Sequence, residues 1–159
     1  MALTTAQLQT VKANIDGDPT LSVIPKNDDG AFQIAGIYNA TAAPDFIVWR
    51  TSIPTAEVKK AFVWTELIAR SAGERDAFTF MLSNGFINGA DPNIRQGIQD
   101  IFSGPSGLTS RTNLLALAKR KATRLEKLLA TGTGSDATPA TMGFEGNVSY
   151  QDILAAFNA

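Results

Sequence analysis

The chain has 159 residues, 44% of them hydrophobic, and a formal net charge of −1, a composition typical of one ordinary globular domain. It contains neither cysteine nor histidine, which excludes disulfides, thiolate zinc sites and Ser–His–Asp triads. The near-neutral bulk charge argues against a protein that binds polyanions through its overall charge.

The first third of the chain predicts two helices. Residues 4–15 begin with a Thr4–Gln7 capping box and carry an apolar stripe at i, i+3 and i+7. The start MALTTAQLQ lacks the charged and apolar regions of a signal peptide, so we expect a soluble protein made in the cytoplasm. Asp28-Asp29-Gly30 is predicted to open a second helix to Asn39 that buries Phe32, Ala35 and either Ile37 or Tyr38. The acidic pairs in this region lack the ligand spacing of a calcium loop, so no metal site is predicted.

The middle third predicts a short strand and several short helices. Residues 46–49 are rich in β-branched and aromatic side chains, which favours either a short strand or an extended segment buried under the helices. Pro54 favours a helix over 54–62. The pattern of 63–69 is ambiguous between strand and helix. Trp49 and Trp64 are interpreted as core residues or anchors of a subunit interface.

Two further helices are predicted before residue 103. One covers Glu74–Ser83, and the other runs from an Asp91 N-cap to Phe102. Gly97 lies inside the second helix, where glycine costs about 1 kcal/mol relative to alanine. We therefore expect close packing at Gly97. Residues 103–107 have the composition of a turn.

Residues 110–130 are predicted to form the longest helix, around which the other helices pack as a bundle. Its leucines and alanines share an arc of roughly 160°, wide enough for a core-facing helix. Arg120, Arg124 and Lys127 lie together on the opposite side, and Lys121 falls within the apolar arc. Lys121 must therefore extend its ammonium to water or find a partner. The basic side is either a solvated face or a docking surface for acidic groups.

Charge is unevenly distributed around this predicted helix. Residues 101–130 carry six bases and one acid, whereas 131–159 carry three acids and no base. Such an alternation suggests complementary contacts inside one subunit or between neighbouring subunits.

The segment after residue 130 is predicted to be an extended arm followed by a helix. Residues 131–141 are rich in Gly, Thr, Ser and Ala, and have too little apolar surface to hold themselves in place. Residues 142–148 predict a short strand, and Ser149 with Asp152 predicts a capping box for a helix over 150–157. The chain thus divides into a helical domain (1–130) and an arm with its helix (131–159). The arm either folds back on the same domain or docks on a neighbour.

No residue pattern predicts catalysis. Glu66, Glu74 and Asp76 could be paired carboxylates of a glycosidase, but helix surfaces often carry such neighbours. Neither an enzyme nor a bound cofactor is predicted. Residues 92–102 and 110–130 leave open a helix-turn-helix DNA-binding regulator, although the basic residues lie in the second half of the second helix.

Five stretches resemble a family of small virion proteins of tailed bacteriophages. They are PDFIVWRTSIPT (44–55), FVWTE (62–66), PNIRQGI (92–98), KRKATRLEKLLATGTGSDATPATMGFEG (119–146) and SYQDI (149–153). The size, the helical character and the long helix followed by an arm are similar to head–tail connector proteins, also called adaptor or neck proteins. The family pattern supplies no catalytic residues.

The resemblance implies a mainly α-helical structural protein of the virion, located at the head–tail junction. Such a subunit would form a homo-oligomeric ring, typically of twelve copies, beneath the portal protein. The ring would continue the channel for the genomic DNA, without sequence-specific binding, and would offer a platform to a tail or neck protein. No membrane partner is expected. Another virion protein, such as a tail-completion or tail-terminating factor, stays open as an alternative.

Nine residues are predicted to form interfaces in such an assembly. They combine the basic side of the long helix with the two tryptophans and the aromatic residues near the C-terminus. They are Arg120, Lys121, Arg124, Lys127, Trp49, Trp64, Phe144, Tyr150 and Phe157.

Overall fold

A computed structural model describes residues 2–159, and within them the chain is mainly helical, as predicted. Its nine helices in this range are α1 (Thr5–Gly17), α2 (Asp28–Asn39), α3 (Thr55–Ala61), α4 (Trp64–Ile68), α5 (Ala72–Met81), α6 (Pro92–Ile101), α7 (Leu108–Leu117), α8 (Arg124–Leu129) and α9 (Tyr150–Phe157). Four short strands accompany them: β1 (Ile47–Trp49), β2 (Ile53–Pro54), β3 (Phe86–Ile87) and β4 (Lys119–Lys121). β1 pairs with β4, and β2 pairs with β3.

The structure divides into two compact units, so the predicted boundary at residue 130 is not where the chain divides. Unit 1 contains residues 2–48 and 121–159, and unit 2 contains residues 49–120. Unit 1 is therefore built from both ends of the chain, whereas unit 2 is one continuous segment.

Unit 1 is organised around α9, which packs on α1 and α2. Its core contains Val11, Ile34, Tyr38, Leu125 and Ile153, all fully buried. The predicted capping boxes open α1 at Thr4 and α9 at Ser149, as expected. In each, the cap hydroxyl and the side chain three residues later satisfy backbone N–H groups that the helix leaves unpaired.

A second cluster of unit 1 connects three distant parts of the sequence. Val48, Ala122 and Ala140 are buried together. The Ala122 N–H donates to the Phe46 carbonyl (2.8 Å), and the Ala140 N–H donates to the Ile47 carbonyl (2.9 Å). The Ile47 N–H in turn donates to the carbonyl of Gly134 (2.7 Å). Gly134 has φ +67°, and a Cβ there would lie 2.2 Å from the Phe46 ring, so this close approach requires glycine.

Unit 2 is built from elements that follow one another closely in sequence. β2 and β3 are antiparallel, with Ile53 opposite Ile87. Helix α6 packs on α5 and α7, and α3 packs on α7. The rings of Phe62, Phe78 and Phe102 form a chain of edge-to-face contacts with 5.2 Å between successive centroids. Gly97 is closely packed, as predicted, since a Cβ there would lie 2.9 Å from the Met81 methyl.

The prediction of one helix over 110–130 is wrong. Helix α7 ends at Leu117, β4 follows, and α8 begins after Thr123, which caps it in a capping box with Glu126. Leu114 is buried in the core of unit 2 and Leu125 in the core of unit 1. The apolar spacing therefore continues across the break at β4, because the leucines before it pack in the core of unit 2 and those after it pack in the core of unit 1.

The C-terminal segment is folded into unit 1 and is not an extended arm. Thr131 and Thr141 exchange two backbone hydrogen bonds, of 2.8 and 2.9 Å. Phe144, Val148, Ile153 and Ala156 are buried in the unit 1 core. Of the two alternatives, folding back on the same subunit is the one observed. Bridges at Ala140 and Thr141 take the place of the strand predicted over 142–148.

Smaller differences concern helix limits and one side chain. The helix predicted over 54–62 begins at Thr55, and the one predicted from Glu74 begins at Ala72 with a Ser71 cap. The ambiguous residues 63–69 contain helix α4. Phe32, predicted to be buried, has 73% of its surface exposed.

Candidate interaction site

The nine predicted interface residues do not form one surface. Unit 2 contains Trp49, Trp64 and Arg120, and unit 1 contains the remaining six. Arg120 belongs to β4, so the predicted face that it shares with Arg124 and Lys127 on one helix does not exist. Phe144 is 4% exposed and belongs to the core, which removes it from the candidates.

Arg124 and Lys127 do act together, as the basic wall of a cleft in unit 1. Both lie on α8 and line a cavity of about 510 Å³. Apolar side chains provide much of its remaining wall, among them Ile37, Ala42 and Leu128. We call this cavity the basic cleft. Its volume falls within the range of roughly 300–1,000 Å³ typical of binding pockets.

Arg124 is held in place by Asp18, the C-cap of α1, and by Tyr38 on α2. Its Nη2 lies 2.6 Å from Oδ2 of Asp18, and its guanidinium lies 5.8 Å from the centre of the Tyr38 ring. Hydrogen bonds from the Thr20 hydroxyl and N–H lower the pKa of Asp18, and the charge of Arg124 adds to this effect. Asp18 therefore stays ionised and balances the charge of Arg124.

The hydroxyl of Tyr38 also has a partner. It donates to Oδ1 of Asn14 at 2.9 Å, and burial raises the pKa of this phenol. Tyr38 is consequently a neutral, structural neighbour of the basic cleft.

Lys127 supplies the uncompensated charge of the basic cleft. Its Nζ lies 5.8 Å from the centre of the Phe46 ring, and within residues 2–159 it forms no ion pair. Lys121 is different because it forms an ion pair with Asp45 at 2.7 Å, where both side chains are more than half exposed. Lys121 was predicted to extend to water or to find a partner, and it does both.

A second surface of unit 1 combines acidic and aromatic side chains. Asp28, Asp29, Phe32 and Tyr150 surround a shallow depression beside the start of α2. Phe32 is 73% exposed and Tyr150 is 40% exposed. Neither aspartate forms an ion pair with any of the described residues. We call these four residues the acidic–aromatic patch.

The tryptophans of unit 2 have different environments. Trp49 is half-buried, with the Arg95 guanidinium 4.1 Å and Lys119 Nζ 5.9 Å from its ring. Trp64 is 59% exposed and packs edge-on against Phe62. Ile68 and Phe80 are exposed as well, so unit 2 presents several large apolar side chains to solvent. In unit 1, Phe157 is half-buried with Lys26 Nζ 6.0 Å from its ring.

The sequence predicted the basic pair of the cleft but not the acidic–aromatic patch. The i, i+3 spacing of Arg124 and Lys127 was enough to place them side by side. The acidic–aromatic patch was missed because Phe32 was assigned to the core. The buried stripe of α2 is Ala31, Ile34, Ala35 and Tyr38, at i, i+3, i+4 and i+7. Phe32 lies beside that stripe, and this offset is the signal that could have identified it.

No protein-family model, curated protein or solved structure matches the chain. Among residues 2–159, no group of three or more Asp, Glu, His or Cys side chains could hold a metal ion. In the same range, every helix is too short or too polar to cross a lipid bilayer.

Proposed function

We propose that this chain is a structural subunit of the head–tail connector of a tailed bacteriophage. In this role it forms a ring beneath the portal protein at the capsid vertex. The ring continues the channel through which the genomic DNA passes, and its other end receives a tail or neck protein. The chain acts through binding surfaces, without an enzymatic step.

The observation that carries the proposal is the position of the two longest stretches of resemblance. Within unit 1, their residues meet in one hydrogen-bonded motif, in which Phe46 and Ile47 bond to Ala122, Gly134 and Ala140. The resemblance therefore covers residues that depend on one another in three dimensions.

Exposed apolar side chains also support a role in assembly. Trp64, Ile68 and Phe80 in unit 2 are each at least 59% exposed. Trp64 and Ile68 lie one turn apart on α4 and so form adjacent exposed apolar surface. Contiguous surface of this kind often marks protein–protein contacts, and a connector subunit touches its neighbours, the portal and the next component. The helix-turn-helix alternative has less support, because α7 ends at Leu117 and Arg111 donates to the Phe102 carbonyl.

The proposal is tested in phage particles that lack this chain. We expect deletion of the gene to leave DNA-filled heads that do not join tails, and supply of the wild-type chain in trans to restore joined particles. Quantitative mass spectrometry of purified wild-type particles should find about as many copies as portal subunits. Absence of the chain from particles, or normal joining without it, would overturn the proposal. Location at the far end of the tail tube would favour the tail-terminating alternative.

A further inference from the structure

We propose that the basic cleft receives the acidic–aromatic patch of a second copy of this chain. The contact is head-to-tail, with Phe32 of one copy seated beside Lys127 of the next. This inference deepens the proposed function, on which its biological setting rests, because a ring requires such a repeated contact. Its test nevertheless needs only the purified 159-residue chain.

Charge complementarity is the first argument for this occupant. Lys127 contributes a positive charge that no carboxylate within residues 2–159 balances. Asp28 and Asp29 are exposed, and they too form no ion pair among the described residues. Opposite charges placed on two surfaces favour their approach and fix their register.

The arrangement of the patch is the second argument. Asp29 and Asp28 precede Phe32 by three and four residues on α2, so all three side chains project from one face of the helix. The patch thus presents one aromatic ring flanked by two carboxylates. The basic cleft offers the complement, an apolar wall from Ile37, Ala42 and Leu128 with cations at its side. Aromatic side chains that enter such pockets are the usual anchors of protein interfaces.

The positions of the two surfaces explain why the contact must be between copies. The patch lies at the N-terminal end of α2, while Ile37 and Ala40 near its C-terminal end line the basic cleft. Phe32 precedes Ile37 by five residues on this helix, about 7.5 Å along its axis and roughly 140° around it, and the rigid helix holds the two side chains apart. One copy therefore cannot dock its own patch, and Phe32 is accordingly exposed. Because the two surfaces differ, repeated docking produces a closed ring or an open filament.

Cross-linking tests the contact without altering its charged or aromatic residues. The chain has no cysteine, so single cysteines can be placed at Gln33, beside Phe32, and at Ala43, in the wall of the basic cleft. We expect an equimolar mixture of Gln33→Cys and Ala43→Cys to give a covalent heterodimer with a short bismaleimide. Replacing Ala43→Cys with Ser83→Cys, on an exposed turn of unit 2, provides the matched control. Equal cross-linking to both positions would overturn the proposal.

Charge reversal gives a second, independent test. In sedimentation velocity, we expect Lys127→Glu to weaken self-association about tenfold, and Asp28→Lys/Asp29→Lys to weaken it similarly. The triple variant with all three reversals should associate within about threefold of wild type, because the charges are again opposite. Phe32→Ala should weaken association by about 30-fold without restoration by any charge change. Circular dichroism verifies that each variant keeps its fold.

The outcomes separate this inference from the proposed function. A wild-type chain that stays monomeric up to its solubility limit, or a triple variant no better than the single reversal, would overturn the head-to-tail contact. If such a chain still enters particles in portal-like numbers, the connector proposal survives and only this inference fails. If Lys127→Glu leaves self-association intact but abolishes portal binding, the cleft receives a different protein and the inference is wrong.

Discussion

Unit 1 is larger than unit 2, and the two units are assembled in different ways. Unit 2 is one continuous segment whose neighbouring helices, such as α5 and α6, pack on each other. Unit 1 joins the two ends of the chain, since α9 packs on α1 and α2. Long-range packing of this kind must close a large loop before its contacts stabilise anything. The stability of unit 1 thus depends on residues that are far apart in sequence.

The largest expected effect comes from removing the C-terminal segment of unit 1. Deletion of residues 131–159 removes Phe144, Val148, Ile153 and Ala156 from its core. We therefore expect loss of the helical signal of α1 and α2 in circular dichroism, and full hydrogen exchange of residues 5–39. Removal of Ala159 alone is the control. Protected amides in α1 and α2 of the truncated chain would mean that the C-terminal segment is an arm after all.

A matched pair of core substitutions compares the units directly. Ile153→Ala in unit 1 and Ile98→Ala in unit 2 each leave a cavity at a site that is at most 1% exposed. We expect each to cost about 2–5 kcal/mol of unfolding free energy. Hydrogen-exchange mass spectrometry should locate the lost protection mainly in α1, α2 and α9 for the first variant, and in α5–α7 for the second. Equal loss throughout the chain in both variants would contradict the division into two units.

Two carboxylates, one in each unit, accept hydrogen bonds from backbone N–H groups at helix starts, and the cost of removing each can be compared. Glu126 in unit 1 is 1% exposed and accepts the N–H groups of Thr123 (2.9 Å) and Gly146 (3.0 Å). Glu126→Ala leaves both donors without this acceptor, and we expect it to cost about 2–3 kcal/mol in urea unfolding. The half-buried Glu66 of unit 2 accepts the N–H of Ser110 at 2.7 Å, and Glu66→Ala should cost less than Glu126→Ala because water reaches the donors that Glu66 leaves. A larger loss for Glu66→Ala would contradict this order.

The smallest expected effect is on how steeply the stability of each unit falls at acidic pH. Hydrogen bonds from Ser110 lower the pKa of Glu66, and hydrogen bonds from Thr20 lower that of Asp18. Each carboxylate therefore stabilises its unit above its unfolded pKa of about 4, and this contribution is lost as the pH falls through the lower folded value. Glu66→Gln should flatten the acid dependence of unit 2, and Asp18→Asn that of unit 1. Melting temperatures measured between pH 2 and 6 provide the test, which an unchanged acid slope would fail.

Sequence patterns predicted the local features of both units. The capping boxes at Thr4 and Ser149, and the Asp91 cap of α6, were all predictable because each depends on residues within one helical turn. The failure at 110–130 has a physical reason. Apolar spacing reports that each leucine is buried, but not in which core, and Leu114 and Leu125 belong to different units.

The candidate interaction site was only partly predictable for the same reason. Arg124 and Lys127 are neighbours on one helix turn, so their spacing sufficed. The basic cleft also needs Asn14, Ile37 and Ala42, which approach α8 only in the folded unit. Residues 131–148 were assigned to an arm because their composition is polar. They are held by backbone hydrogen bonds of Gly134 and Ala140 to Ile47 and by a few buried side chains, which composition does not reveal.

The most direct test of the connector proposal is a cryo-electron microscopy reconstruction of the head–tail junction in wild-type particles. The proposal predicts a ring immediately below the portal, with each position fitted by both units of this chain. If the head-to-tail contact is also correct, Phe32 of each subunit lies beside Lys127 of its neighbour. A junction whose rings are all accounted for by other proteins would contradict the connector role.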